Sequence, residues 1–288
     1  MAKKTDKVPH ASRVLLKDMP LNSSLKFKAE EAYKSIRANI MLSVMKKGCK
    51  QIVVTSSAPS EGKTTTTINL AISIAEAEQK VLLIDGDLRK PKIHHYFTLP
   101  NAPGLTNYLG SVVNNGAKAD FSDIVHETEI PNLSIITSGS IPPNPSEVLG
   151  SEPMREFLDS LEYKYDYVII DTPPINVVSD AFPLIKETDG VVLIVRSNAS
   201  TYPEIDKALA SLEFINANVL GFVVNFEESS QKRYGYGRYY SRYYRYRYGY
   251  GYGYGYGYGG YGYGGYGYGG YGNYGGYEYG ASRRKKKK

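Results

Sequence analysis

Residues Ser56–Thr67 read SSAPSEGKTTTT. The Gly-Lys-Thr triplet stands between a β-branched apolar run, Gln51–Thr55, and a helical pattern that begins at Lys63. At such a turn, backbone N–H groups and the positive end of the helix hold phosphate oxygens. A lysine reaches the β- and γ-phosphates, and a hydroxyl ligates Mg²⁺. Ser60, Glu61, Gly62, Lys63, Thr64 and Thr65 are in place for this, with Lys63 as the cation and Thr64 as the hydroxyl. The match to G-x-x-x-x-G-K-[ST] is incomplete, because Ser57 occupies the first glycine position.

Two acidic segments extend the pattern. In Val81–Pro91, VLLIDGDLRKP, Asp85 and Asp87 follow an apolar strand. Doubly wound sheets bind ligands at that end of their strands. The two aspartates alternate, so both can face one Mg²⁺-phosphate region, while Arg89 either orients phosphate or pairs with a carboxylate. In Tyr165–Pro174, YDYVIIDTPP, an apolar strand ends on Asp171. This is the Walker-B form, whose acid holds Mg²⁺ directly or through water. Each segment alone also reads as an ordinary strand end. Together they supply one lysine, one hydroxyl and three carboxylates in the order an ATP and Mg²⁺ site needs. Asn225, after the last apolar run, is a candidate adenine contact.

The elements that must position these residues alternate along the chain. Strands are predicted at Gln51–Thr55, Lys80–Ile84, Leu133–Thr137, Tyr167–Ile170, Gly190–Val195 and Val219–Val224, all short runs of the type buried on both faces. Helices are predicted near Lys26–Met45 and at Lys63–Ala77, Ser146–Leu161, Ser179–Lys186 and Tyr202–Ile215. The order implies an α/β P-loop NTPase fold, a largely parallel doubly wound sheet with helices on both faces. Residues 1–25 read as a flexible lead-in and 26–228 as the P-loop domain. Residues 229–288 read as a disordered, Tyr/Gly-rich basic tail.

Composition sharpens the last boundary. Gln231–Lys288 holds 21 of the 28 tyrosines, 19 of the 29 glycines, 12 Lys/Arg and one acid. Its net charge of +11 sits beside a body of net −5, so the tail is expected to meet something anionic. With Cys49 as the one cysteine, no intramolecular disulfide is available and a reducing compartment is expected. The segment MAKKTDKVPHASR lacks the apolar run of a signal peptide, and no stretch approaches the roughly 18–20 apolar residues of a membrane span.

These motifs together resemble the bacterial tyrosine autokinases that regulate capsule and exopolysaccharide synthesis. The resemblance covers roughly Leu21–Glu227. The P-loop, an Asp85-x-Asp87 segment similar to the family's Walker A′ motif, and Asp171 stand in the family's order. So do GLTNYLG (Gly104–Gly110), GSIPPNPSEVLGS (Gly139–Ser151) and VVSDA (Val177–Ala181), and the tail resembles the family's terminal tyrosine cluster. The resemblance implies an ATP- and Mg²⁺-dependent protein-tyrosine kinase that phosphorylates its own tail. It assigns Lys63, Asp85, Asp87 and Asp171 to catalysis, and Thr64 with the three aspartates to Mg²⁺.

EAYKSIR (Glu31–Arg37) resembles the family's E-x-x-R-x-x-R oligomerisation helix, with Lys34 at the first arginine. Glu31, Lys34 and Arg37 are thereby assigned to a homo-oligomeric ring, an octamer in the family. Lysine keeps the charge there and loses the bidentate fork. The resemblance further implies a transmembrane adaptor of the polysaccharide co-polymerase type, a cognate tyrosine phosphatase, and a cytoplasmic chain recruited to the inner face of the membrane. The ATPases of the ParA/MinD type carry a second lysine five residues before the P-loop lysine. That position is Ala58 here, which argues against their nucleotide-sandwich dimer.

The tail then reads as substrate. Tyr234, Tyr236, Tyr239, Tyr240, Tyr243, Tyr244, Tyr246 and Tyr248 are the autophosphorylation candidates. A Gly-rich coil of 58 residues spans roughly 40–45 Å, enough to reach a neighbouring subunit. Arg283–Lys288, RRKKKK, suits contact with anionic lipid. Two rivals remain: a P-loop ATPase whose Tyr/Gly/Arg tail binds RNA or forms condensates, with tyrosines stacking on bases, and an ATPase whose tail is a spacer.

Overall fold

The computed structural model describes residues 22–115 and 120–226. Most of the lead-in and all the tail tyrosines named above lie outside the described residues. The strands are β1 (Lys50–Ser56), β2 (Val81–Asp85), β3 (Val125–Glu127), β4 (Leu133–Ile136), β5 (Tyr167–Asp171), β6 (Gly190–Arg196) and β7 (Val219–Asn225). They form one sheet in the order β3-β4-β2-β5-β1-β6-β7. All neighbours are parallel except β3, which runs antiparallel to β4 at one edge.

Alternation along the central strands explains why both faces are covered. Leu82, Ile84, Val53, Val168 and Ile170 enter one apolar layer. Their sequence neighbours Leu83, Ile52, Val54 and Ile169 enter the other. The first layer is closed by α4 (Leu105–Asn115), α6 (Glu152–Ser160), α7 (Phe182–Glu187) and α8 (Tyr202–Phe214). The second is closed by α1 (Ser23–Ser43), α2 (Lys63–Ala75) and α3 (Ile93–Phe97). Cys49 lies in the first layer, 1% exposed, and burial pushes its thiol up to about 12. Among the described residues, no helix is long and apolar enough to cross a membrane.

The predicted helix over Ser146–Leu161 is two helices, α5 (Pro145–Leu149) and α6. Gly150 packs on Pro183, where an added Cβ would stand 2.8 Å from the ring. Ser151 then accepts the Met154 N–H and starts a new helix, with a proline in its first turn. The residues predicted at Ser179–Ala181 precede α7 instead of belonging to it.

Candidate active site

Strand order brings the chemistry together. β5 lies between β1 and β2, so the P-loop, Asp85 and Asp171 leave adjacent strands at the same end of the sheet. Asp171 is in register with Asp85 on one side and Val54 on the other. Gly86 allows the two strand ends to close up. Its N–H donates to Asp171 O at 2.8 Å, and a Cβ there would stand 2.9 Å from the same oxygen.

The P-loop turns into α2 at Gly62, whose φ of 84° lies in the left-handed region that glycine adopts without steric cost. Four threonines then open the helix, although β-branched residues form helices poorly. Burial offsets this, and Thr67 Oγ1 donates back to Lys63 O at 2.9 Å. Gly62 provides no side-chain cap, so the positive end of α2 faces the loop's concavity.

Asp171, 1% exposed, is the hub. Lys63 Nζ donates to its Oδ1 at 2.8 Å, Thr64 Oγ1 to its Oδ2 at 2.7 Å, and Thr67 Oγ1 to its Oδ1 at 3.0 Å. Asp87 Oδ2 lies 4.0 Å from Lys63 Nζ. Asp85 is wholly buried; its Oδ2 accepts the N–H groups of Lys92 and Ile93, each at 2.9 Å. Burial, and then the charge of Asp171, push Asp85 up to about 7 against those hydrogen bonds. Burial also raises Asp87, with Lys63 opposing it.

The donor set is hard oxygen and suits Mg²⁺, and the crowded Asp85–Asp171 pair calls for a cation. The aspartates do not make a cage, however. Among the described residues, no group of three or more His, Cys, Asp or Glu could hold a metal ion by itself. Mg²⁺ commonly takes one or two carboxylates and completes its shell with water and substrate phosphate, and this arrangement fits that habit. Of the expected ligands, Thr64 and Asp171 are hydrogen-bonded to each other, and Asp87 and Asp85 stand beside them at the same strand ends.

The profile of the AAA domain matches residues 49–218. The tyrosine-protein kinase YwqD of Bacillus subtilis is 40% identical over 207 residues, which is 72% of this chain and 85% of that protein. The kinase domain of the Escherichia coli tyrosine kinase ETK superposes with a TM-score of 0.66 at 32% identity, covering 82% of this chain and 88% of that one. The chain belongs to the bacterial tyrosine kinases of capsule and exopolysaccharide biosynthesis. The septum site-determining protein MinD of Pyrococcus horikoshii, solved with Mg-ADP, is similar at a TM-score of 0.52 and 22% identity, covering 66% of this chain and 75% of that one. That likeness shows the shared nucleotide-binding fold alone.

Around this centre the kinase ties its loops together. Arg89 holds Asp180 with a two-pronged pair, its Nη2 donating to Oδ1 at 3.0 Å, so the pairing role is the one observed for Arg89. This joins the segment after β2 to the loop before α7. Glu61 does not present its side chain to the loop's concavity. The carboxylate is 3% exposed and points into the protein, where Ser57, Ala58 and Ser200 donate to it.

Asn225, the candidate adenine contact, stands beside the loop: its Nδ2 donates to Glu61 O at 2.9 Å and Thr66 Oγ1 at 2.8 Å. Arg196 stacks over Phe226, 4.3 Å from the ring centroid, and its Nη1 lies 3.4 Å from Ser60 O. No sequence motif singled out Ser200, Arg196 or Phe226.

The α1 residues expected to oligomerise divide in two. Glu31 and Lys34 are about half exposed and pair with each other at 2.8 Å. Arg37 donates to the carbonyl of Ser73 in α2. Between them, Tyr33 is hydrogen-bonded with Thr66 and Asn69, and burial raises its phenol pKa.

Proposed function

We propose that this kinase transfers the γ-phosphoryl group of ATP to tyrosines of its own C-terminal cluster, in trans within an oligomer, and so regulates polysaccharide synthesis and export. The observation that carries this reading is the Lys63–Thr64–Asp171–Asp87 constellation at the strand ends, on a chain with 21 tyrosines between Gln231 and Lys288.

In the proposed reaction the tyrosine oxygen bonds to the γ-phosphorus as the bond to the ADP oxygen breaks. The phenol proton passes to a carboxylate. Asp87 suits that role better than Asp85, because Asp87 is partly open while Asp85 is wholly buried and holds two backbone N–H groups. Lys63 would leave Asp171 for the β- and γ-phosphates, and the backbone N–H groups at the start of α2 would receive phosphate oxygens. Bound through Asp171, Thr64 and phosphate, Mg²⁺ would neutralise charge on the transferred group. Positioning and charge stabilisation carry most of such a reaction.

Ring assembly through α1, activation by a membrane adaptor, reversal by a tyrosine phosphatase and lipid contact by RRKKKK belong to the same proposal. Each phosphotyrosine adds about −1.5 to −2, so roughly six would cancel the tail's +11 and weaken its attraction to acidic neighbouring bodies.

The test is incubation of the purified chain with Mg-ATP, with and without an adaptor segment, read by intact mass. A Lys63→Met chain mixed with an active chain ending at Glu228 should gain tail phosphate if transfer is in trans. Absence of phosphate under every condition, despite ATP binding, would favour the RNA-binding or spacer readings.

A further inference from the structure

Ser57 stands where the P-loop pattern has its first glycine, and Glu61 precedes the second. The structure joins this departure to its acidic neighbour in the loop. Ser57 Oγ donates to Glu61 Oε1 at 2.7 Å, and Ala58 N–H donates to Glu61 Oε2 at 2.9 Å, so one carboxylate spans the base of the loop. The same Oε1 accepts from Ser200 Oγ, in the loop after β6. Ser200 Oγ in turn accepts the Arg196 N–H at 2.6 Å, which fixes it to the end of that strand. The Glu61 carbonyl is held from β7 by Asn225. Both the side chain and the backbone of Glu61 are therefore fastened to the sheet's far strands, and the residue on each side of it, Ser60 and Gly62, has a positive φ.

A loop with two left-handed residues flanking one position, and a serine at one of them, does not hold its shape on intrinsic preference. An acid beside a phosphate-binding concavity would also repel the ligand if it faced it. Turned inward and supplied with three donors, it does the opposite: it fixes the loop's backbone. We propose that Glu61 is a positioning residue for nucleotide. Its carboxylate, held by Ser57, Ala58 and Ser200, sets the P-loop in its phosphate-receiving shape before nucleotide arrives. Ser200 is the long-range arm of this brace. The inference rests on the loop being the nucleotide site and is independent of which tyrosine is phosphorylated.

The test uses the full chain and Mg-ADP, by titration calorimetry, with Lys63→Met as the control for the site itself. Glu61→Ala should raise the Kd about ten- to 150-fold, the range set by losing a hydrogen bond to a charged group. Autophosphorylation should show the same rise in KM for ATP, with kcat at saturating ATP within about twofold. Glu61→Gln can accept from Ala58 and donate to the serine hydroxyls, so it should recover most of the affinity. Ser200→Ala should weaken binding about three- to fivefold.

If the wild type binds Mg-ADP and a folded Glu61→Ala binds it equally well, the brace is refuted while the site stands. Equal loss in the Gln and Ala variants would also overturn it. If Glu61→Ala does not fold, Ser200→Ala decides, because unchanged affinity in that variant contradicts the coupling. If the wild type itself binds no Mg-ADP, the nucleotide reading fails first.

Discussion

The two sides of the active-site mouth are finished to different degrees. On the P-loop side, polar groups satisfy one another: Glu61 takes three donors, Asn225 bridges a carbonyl and a hydroxyl, and Arg196 reaches Ser60 O. On the carboxylate side, Asp85 and Asp171 stand in register with Lys63 as the nearest cation, and Asp85 is pushed up to about 7. On the proposed reading, the receptor for phosphate is built in advance. On the same reading, the cation side sets two neighbouring carboxylates against one lysine, a balance that bound Mg²⁺ would complete. Stability is given up where binding needs it.

The largest effect should come from the residue shared by both sides. Lys63→Met should lower phosphoryl transfer by about 10²–10³-fold in a chain that still melts cooperatively, measured by intact-mass kinetics and calorimetry. Asp87→Asn should cost about 10²-fold or more in the same assay, while leaving nucleotide affinity within a few fold. Near-wild-type phosphotyrosine in a folded Asp87→Asn chain would remove its proton-accepting role.

The third prediction tests the carboxylate side through pH. Unfolded, Asp85 titrates near 3.9. Between about pH 4 and 7 the folded chain therefore keeps a proton that the unfolded chain has lost. The contribution of Asp85 to stability falls as pH rises through that window and levels off above it. In EDTA and without nucleotide, Asp85→Asn should flatten this fall in a Tm-against-pH profile and melt higher than wild type at neutral pH. Adding Mg²⁺ and ADP should raise the wild-type Tm more than that of the variant. Parallel profiles would mean that the two sides do not differ as described.

The smallest effect belongs to the loop side. Ser60 has a φ of 65°, and Ser60→Gly should stabilise the chain by about 0.5–1 kcal/mol, seen as a shift in denaturant midpoint at constant slope.

Much of the fold follows from patterns within ten residues. β1, β2, β4, β5, β6 and β7 announce themselves as apolar runs, and the P-loop and the acidic strand ends as local motifs. β3 escaped because three residues, Val-His-Glu, carry no alternation to read, and its antiparallel pairing to β4 is long-range information. α3 escaped because it is only five residues long. α4 begins inside the GLTNYLG stretch and runs on to Asn115, and that stretch reads as a motif and not as a helix. The break before α6 was present in the sequence as Gly150-Ser151 followed by Pro153, a stop and a start that the apolar periodicity overrode. The inward turn of Glu61 was not legible, because its partner Ser200 lies 139 residues away and only the strand order brings them together. Asn225 is legible as a polar strand end, and its contacts with Glu61 and Thr66 become visible only with the sheet assembled.

The burial of Cys49 has a practical consequence. A thiol that is 1% exposed and shifted up to about 12 offers little thiolate to a maleimide dye at neutral pH. The kinase is therefore its own cysteine-light background. A Tyr163→Cys substitution, at a position 94% exposed, would accept one fluorophore selectively, and the emission of that single reporter could be followed in real time without first removing the native cysteine.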